Sequence, residues 1–131
     1  MFVDASALCA ILLGEADADA LAVKLSQASY RLTSAVAVFE TVRALNRVVE
    51  MDVSEARAVV ARFLDAAEIG TVPIGDAERE AALEAMQRFG KGRHPAKLNM
   101  GDCFAYACAR THAAPLLFKG DDFGQTDIET V

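Results

Sequence analysis

Short apolar runs alternate with longer segments of helical period along the whole chain, which predicts an α/β fold with a mostly parallel central sheet. Two further observations support it. Acidic residues follow several of the apolar runs, as expected where strand ends open onto a ligand crevice. No internal repeat, low-complexity tract or linker divides the 131 residues, a length suited to a single domain, 1–131, with one core.

The elements follow in order. Residues 1–3 read as a fully buried first strand. Helices are predicted over 6–13 and 17–27, separated by Gly14, and 31–33 is a short second strand. Ser34 caps a helix running to about Glu50, with Val38, Val42, Leu45 and Val49 as its apolar stripe. Ser54 caps another, with Ala58, Phe63 and Leu64 among its apolar positions. A third strand over 69–74 leads into a helix over 76–89. A further helix carries the apolar stretch from Cys103 to Ala109, 115–118 is a fourth strand, and 128–131 adds a fifth at an edge.

Just over half of the residues are hydrophobic, which indicates a compact globule rather than a disordered chain. A net charge of −6 excludes a generally basic nucleic-acid coat but leaves room for a local basic patch. Cys103 and Cys108 fall on different helix faces and neither forms a CxxC pair, so with Cys9 they read as reduced, buried thiols of a cytoplasmic protein. Ser6-Ala7-Leu8-Cys9 has the outline of a lipoprotein cleavage site. However, no Lys or Arg precedes it, Asp4 interrupts it and Leu8 is too large for the residue before the cut. No apolar run reaches the length of a membrane span.

Four acids stand out by position. Asp4 closes the first apolar run and is either the cap of the following helix or a ligand at a strand end. Glu40 lies well inside its helix, where it either pairs with Arg43 on a solvated face or faces an interior pocket. Asp102 follows Asn99 by three residues, the spacing of a capping box, and also opens an apolar helix facing a crevice. Asp121 and Asp122 sit in a turn after the fourth strand, and only one of them can reach a pocket, Asp121 being preferred. Carboxylates converging on one pocket need a counter-charge. A hard divalent cation such as Mg²⁺ supplies it, and acid-held metal is a common engine of phosphodiester cleavage. Separately, residues 90–97 form a basic, glycine-bearing, proline-broken stretch that reads as a mobile surface loop. Its Lys91, Arg93, His94 and Lys97 are either merely solvated or a grip on a phosphate backbone.

Taken together, four motifs resemble the PIN-domain ribonucleases, most closely the VapC toxins of prokaryotic toxin–antitoxin pairs. They are Phe2-Val3-Asp4-Ala5-Ser6-Ala7, Glu40 inside an apolar helix, Leu98-Asn99-Met100-Gly101-Asp102-Cys103-Phe104-Ala105-Tyr106-Ala107, and Pro115-Leu116-Leu117-Phe118-Lys119-Gly120-Asp121-Asp122-Phe123. The resemblance covers the whole chain and keeps the family's order. It implies a PIN-like (Rossmann-like) α/β/α sandwich and an endoribonuclease dependent on Mg²⁺, with Mn²⁺ as a substitute. It also implies Asp4 and Asp102 as metal ligands, with Glu40 and Asp121 completing the catalytic acids. The implied partners are an RNA substrate, a cognate antitoxin whose tail fills the active-site groove, and a second copy of the chain in a homodimer.

Two other readings compete. A phosphoacceptor receiver domain shares the acidic pocket and would use Lys119, but after the third strand the chain offers only Asp76, and after the first only Asp4-Ala5. A non-catalytic RNA-binding module is the third reading; metal-dependent cleavage separates it from the first.

Overall fold

The computed structural model describes residues 1–131. Strands β1 (Phe2–Val3), β2 (Arg31–Ser34), β3 (Ile69–Val72) and β4 (Leu116–Leu117) form one sheet in the order β3-β2-β1-β4, with every pairing parallel. Helices α1 (Ala5–Leu13) and α2 (Ala18–Gln27) connect β1 to β2, and α3 (Ala35–Val48) and α4 (Val53–Ala66) connect β2 to β3. Helices α5 (Asp76–Phe89) and α6 (Met100–Thr111) return the chain across β1 to β4.

Alternation along the strands builds the three layers. Phe2, Leu32 and Leu116 face α5 and α6, whereas Met1, Val3, Ile69 and Leu117 face α1, α2 and the end of α4. Leu45, Ala56 and Val60 join α3 to α4 in a third apolar cluster that reaches Leu12 and Leu13 of α1. The strand order reverses between β1 and β4, and open α/β sheets bind ligands at such a reversal, beyond the strands' carboxyl ends. Asp4 and the turn after β4 therefore flank the expected crevice.

Several local expectations change. The buried line of α3 is Ala37, Thr41 and Leu45, while Val38 and Val42 are half-buried and Val49 is exposed. Small residues on that line let α3 approach its neighbours closely. Asp52, not Ser54, caps α4, its carboxylate accepting the Ser54 N–H at 3.0 Å. Ala58 is exposed, and Ala56 and Val60 carry the burial. Strand β3 stops at Val72 because Pro73 lacks the N–H to continue a ladder. The fifth strand shrinks to one parallel bridge between Leu116 and Thr130. Cys103 and Cys108 are buried and Cys9 half-buried, all as free thiols. No helix is long and apolar enough to cross a membrane.

Candidate active site

Asp4 is cap and pocket residue at once. Its extended backbone ends β1, and its Oδ2 accepts the Ser6 N–H at 2.9 Å and the Ser6 hydroxyl at 2.5 Å. Yet the residue is only 4% exposed. Burial pushes its carboxyl above the usual range, the Ser6 bonds oppose that rise, and the charge of Asp122 adds to it. Ser6 has a second task, since its Oγ accepts the Lys119 N–H at 3.0 Å and stitches α1 to the turn after β4. That turn is held farther out by the Lys119 ammonium, which pairs with Glu15 and lies 3.5 Å from Asp17.

Glu40 forms no ion pair with Arg43; the Arg43 charge only moderates it from a distance. Instead its carboxylate lies on Gly101 in the first turn of α6, where a Cβ would overlap it. Burial raises its pKa, and the charges of Asp4 and Asp102 raise it further. Asp102 completes the group. It closes a capping box with Asn99, accepting the Asn99 N–H at 2.9 Å while Asn99 Oδ1 accepts the Asp102 N–H at 3.0 Å. Burial pushes its carboxyl up to about 6 despite that bond, and Asp4 and Asp122 contribute in the same direction.

Asp4, Glu40 and Asp102, read from three separate segments, therefore converge within mutual electrostatic reach. Both Asp121 and Asp122 are exposed, and of the two it is the charge of Asp122 that Asp4 and Asp102 feel. Phe123, the next residue, is buried, and its ring meets Phe118 edge-on at 5.1 Å.

None of these acids is neutralised by an ion pair. Nor do three of them already stand close enough to form a ready cage for a metal ion. Such a donor set suits Mg²⁺, which is held by one or two carboxylates and keeps its remaining positions for water and substrate phosphate. Asp4 and Asp102 are the more buried and oriented pair, Asp4 steadied by two hydrogen bonds to its Oδ2 and Asp102 by one to its Oδ2.

The uncompensated charge has a measurable consequence. Asp102 in the fold holds its proton up to about pH 6, whereas in the unfolded chain it releases it near 3.8. The folded state thus binds more protons in that window, and metal-free stability falls as pH rises through it, with Asp4 and Glu40 acting in the same sense. For Asp102 alone the effect is at most ~3 kcal/mol, reduced by its partial hydration. In EDTA, the urea midpoint is expected to be higher near pH ~5 than near pH ~7. A midpoint that rises with pH would show that these carboxylates are not desolvated.

The basic stretch is less open than a mobile loop. Lys91 N–H donates to the Leu98 carbonyl at 3.1 Å, His94 Nδ1 accepts the Ala96 N–H at 3.1 Å, and Ala96 is fully buried. The His94 ring packs edge-on against Phe89 at 5.2 Å and turns inward. Lys91, Arg93 and Lys97 remain exposed without ion pairs, so three cations of the four project from a closed turn just before Asn99. His112 ends α6, its Nδ1 lying 3.0 Å from the Cys108 carbonyl oxygen.

Comparison with known proteins agrees with this architecture. The PIN domain family matches residues 1–129. A VapC ribonuclease of Rhizobium meliloti is 40% identical, with 97% of this chain and 98% of that protein covered. Ribonuclease VapC30 of Mycobacterium tuberculosis is 39% identical over 100% of this chain and 98% of its own. Among solved structures, the Mycobacterium tuberculosis toxin VapC20, described as cleaving the sarcin–ricin loop, shares the fold at a TM-score of 0.78. It is 21% identical, over 99% of this chain and 97% of that one. With the match running end to end at this identity, the chain belongs to the PIN domain family, in its VapC ribonuclease branch.

Proposed function

We propose that this protein is a metal-dependent endoribonuclease and the toxin of a toxin–antitoxin pair. The observation that carries the reading is the convergence of Asp4, Glu40 and Asp102 at the sheet's reversal point with no ion pair to neutralise them. Asp4 and Asp102 would hold Mg²⁺, or Mn²⁺ in its place, with Asp122, whose charge reaches both, as the outer acid. When bound there, such an ion would supply Lewis-acid activation of a water and charge compensation for the departing oxygen. Ser6 fixes the Asp4 carboxylate, and the Asn99 N–H fixes that of Asp102. Glu40, its proton affinity raised by burial, is placed to take a proton from a water next to the phosphate. The test is cleavage of a labelled RNA with Mg²⁺ present: products should vanish in EDTA and return on adding Mg²⁺ in excess. Cleavage that persists in EDTA would overturn the reading.

The receiver alternative finds no support in the geometry. Lys119 turns to Glu15 and Asp17 rather than to Asp4, and Asp76 is an exposed residue paired with Arg79 at 3.0 Å.

On the substrate side, Lys91, Arg93 and Lys97 contact RNA phosphates. Each phosphate contact on a single strand contributes ~0.7 to the slope of log affinity against log salt. Neutralising all three should flatten that slope by about 2. An unchanged slope would leave them as solvated surface.

An antitoxin is the proposed protein partner. An apolar groove of about 620 Å³, lined by Val38, Phe39, Val42, Val53 and Leu64, runs beside the helix that carries Glu40. It suits an apolar tail segment, whose Arg would enter the acid cluster and pair bidentately with carboxylates. An antitoxin with that Arg changed to Ala should still bind but inhibit less; full inhibition would place the inhibitory contact elsewhere. The homodimer is likewise proposed, and light scattering of the purified chain at a mass of one copy would remove it.

A further inference from the structure

Acids outnumber bases in this chain, 19 to 13, so an arginine without an acid partner runs against its composition. Arg43 and Arg47 are two such residues: both are exposed and neither makes an ion pair. They sit four residues apart on α3, a spacing at which like charges destabilise a helix. Arg47, in the last turn, is partly compensated by the helix dipole, but Arg43 is too far from the end to benefit. With Ala44 and the catalytic-cluster residue Glu40 they line a cleft of about 180 Å³. At ~30 Å³ per water, that is room for a phosphate group with part of its hydration. The three charged residues thus share one ridge of α3, acid first and cations following.

We propose that Arg43 and Arg47 form a phosphate subsite that holds the RNA backbone on the Glu40 side of the acid cluster, next to the bond being cut. The inference rests on the ribonuclease reading and names a part of its substrate site. An RNA strand is a polyanion and the cluster beside the cleft is acidic, so the strand needs fixed positive charge where it enters and leaves. Guanidinium suits the task because its planar fork pairs with two phosphate oxygens at once. A protein partner is a poorer fit for this cleft. Its lining of two cations and one acid offers a peptide no apolar surface beyond Ala44, in contrast to the adjoining apolar groove, which Arg43 also borders.

The experiment compares the full-length chain with the Arg43→Gln/Arg47→Gln double variant and with Arg43→Lys. Affinity for a fluorescein-labelled single-stranded RNA is measured by anisotropy in EDTA across a salt series, and steady-state cleavage is measured with Mg²⁺. For the double variant, affinity should fall roughly tenfold and the log–log salt slope should flatten by ~1.4, the value for two contacts. KM should rise by more than kcat falls, and Arg43→Lys, which keeps the charge near Glu40, should recover part of the lost affinity. Unchanged affinity and slope would overturn the subsite. So would a lower kcat with a displaced pH profile and unchanged KM, which would mean that Arg43 merely tunes Glu40. Loss of binding to an antitoxin tail peptide with RNA binding intact would assign the cleft to a protein partner instead. If the wild-type chain shows no metal-dependent cleavage, the ribonuclease reading itself fails; if it cleaves while the double variant binds as wild type, only the subsite does.

Discussion

Asp102→Asn is expected to lower RNA cleavage by roughly a thousandfold while the protein stays folded. A bound cation contributes several kcal/mol of charge stabilisation in phosphoryl chemistry, and a loss of ~4 kcal/mol is about a thousandfold in rate. Asparagine keeps the acceptor oxygen that closes the capping box with Asn99, so α6 retains its start. Asp4→Asn should behave alike, because asparagine caps helices as well as aspartate does and can still accept from Ser6. In the metal-free state both variants should be at least as stable as wild type, since each removes a carboxylate that burial disfavours. Stopped cleavage in an unfolded protein would prove nothing, so thermal melts by circular dichroism accompany the assay. Wild-type turnover by folded Asp102→Asn protein would remove the nuclease assignment.

Gly101→Ala is the second large effect, and its direction separates function from folding. Nothing in the backbone requires glycine here, since Gly101 has an ordinary helical conformation. What requires it is the Glu40 carboxylate, which occupies the space a Cβ would take. Alanine favours a helix by ~1 kcal/mol over glycine, so α6 itself should not suffer. Displacing Glu40 by about an ångström should cost on the order of a hundredfold in kcat. Glu40→Gln, which leaves the group in place without its charge, should reduce kcat by removing the proton acceptor. Normal turnover by Gly101→Ala would show that Glu40 does not act from its place against α6.

The parts of this site that were legible in the sequence are those with local signals. An acid after a buried run placed Asp4 at a strand end, the Asn99–Asp102 spacing marked a helix start, and the apolar run after Asp102 pointed that acid toward a crevice. The alternation of Met1, Phe2 and Val3 between the two faces of the sheet follows from strand geometry alone. Tertiary contacts decided the remainder. Nothing near Gly101 in the chain announces Glu40, which lies 61 positions earlier. The burial of Phe123 against Phe118, next to the Asp121–Asp122 pair, is a packing event that turn chemistry does not encode. Val49 is exposed because α3 ends one residue before it, and Ala58 because α4 buries only the line of Ala56 and Val60. His94 was grouped with three cations by its neighbours, but its ring packs inward on Phe89.

The claim on which everything else depends is that the uncompensated acids hold a divalent cation. Calorimetric titration of Mn²⁺ into the EDTA-stripped, full-length chain near pH ~7 tests it directly, with Asp4→Asn and Asp102→Asn alongside. The structure predicts saturable binding to the wild type, competition by Mg²⁺, and affinity reduced roughly tenfold or more in each variant. Binding to folded Asp102→Asn protein that matches the wild type, or no saturable binding to the wild type at all, would contradict it.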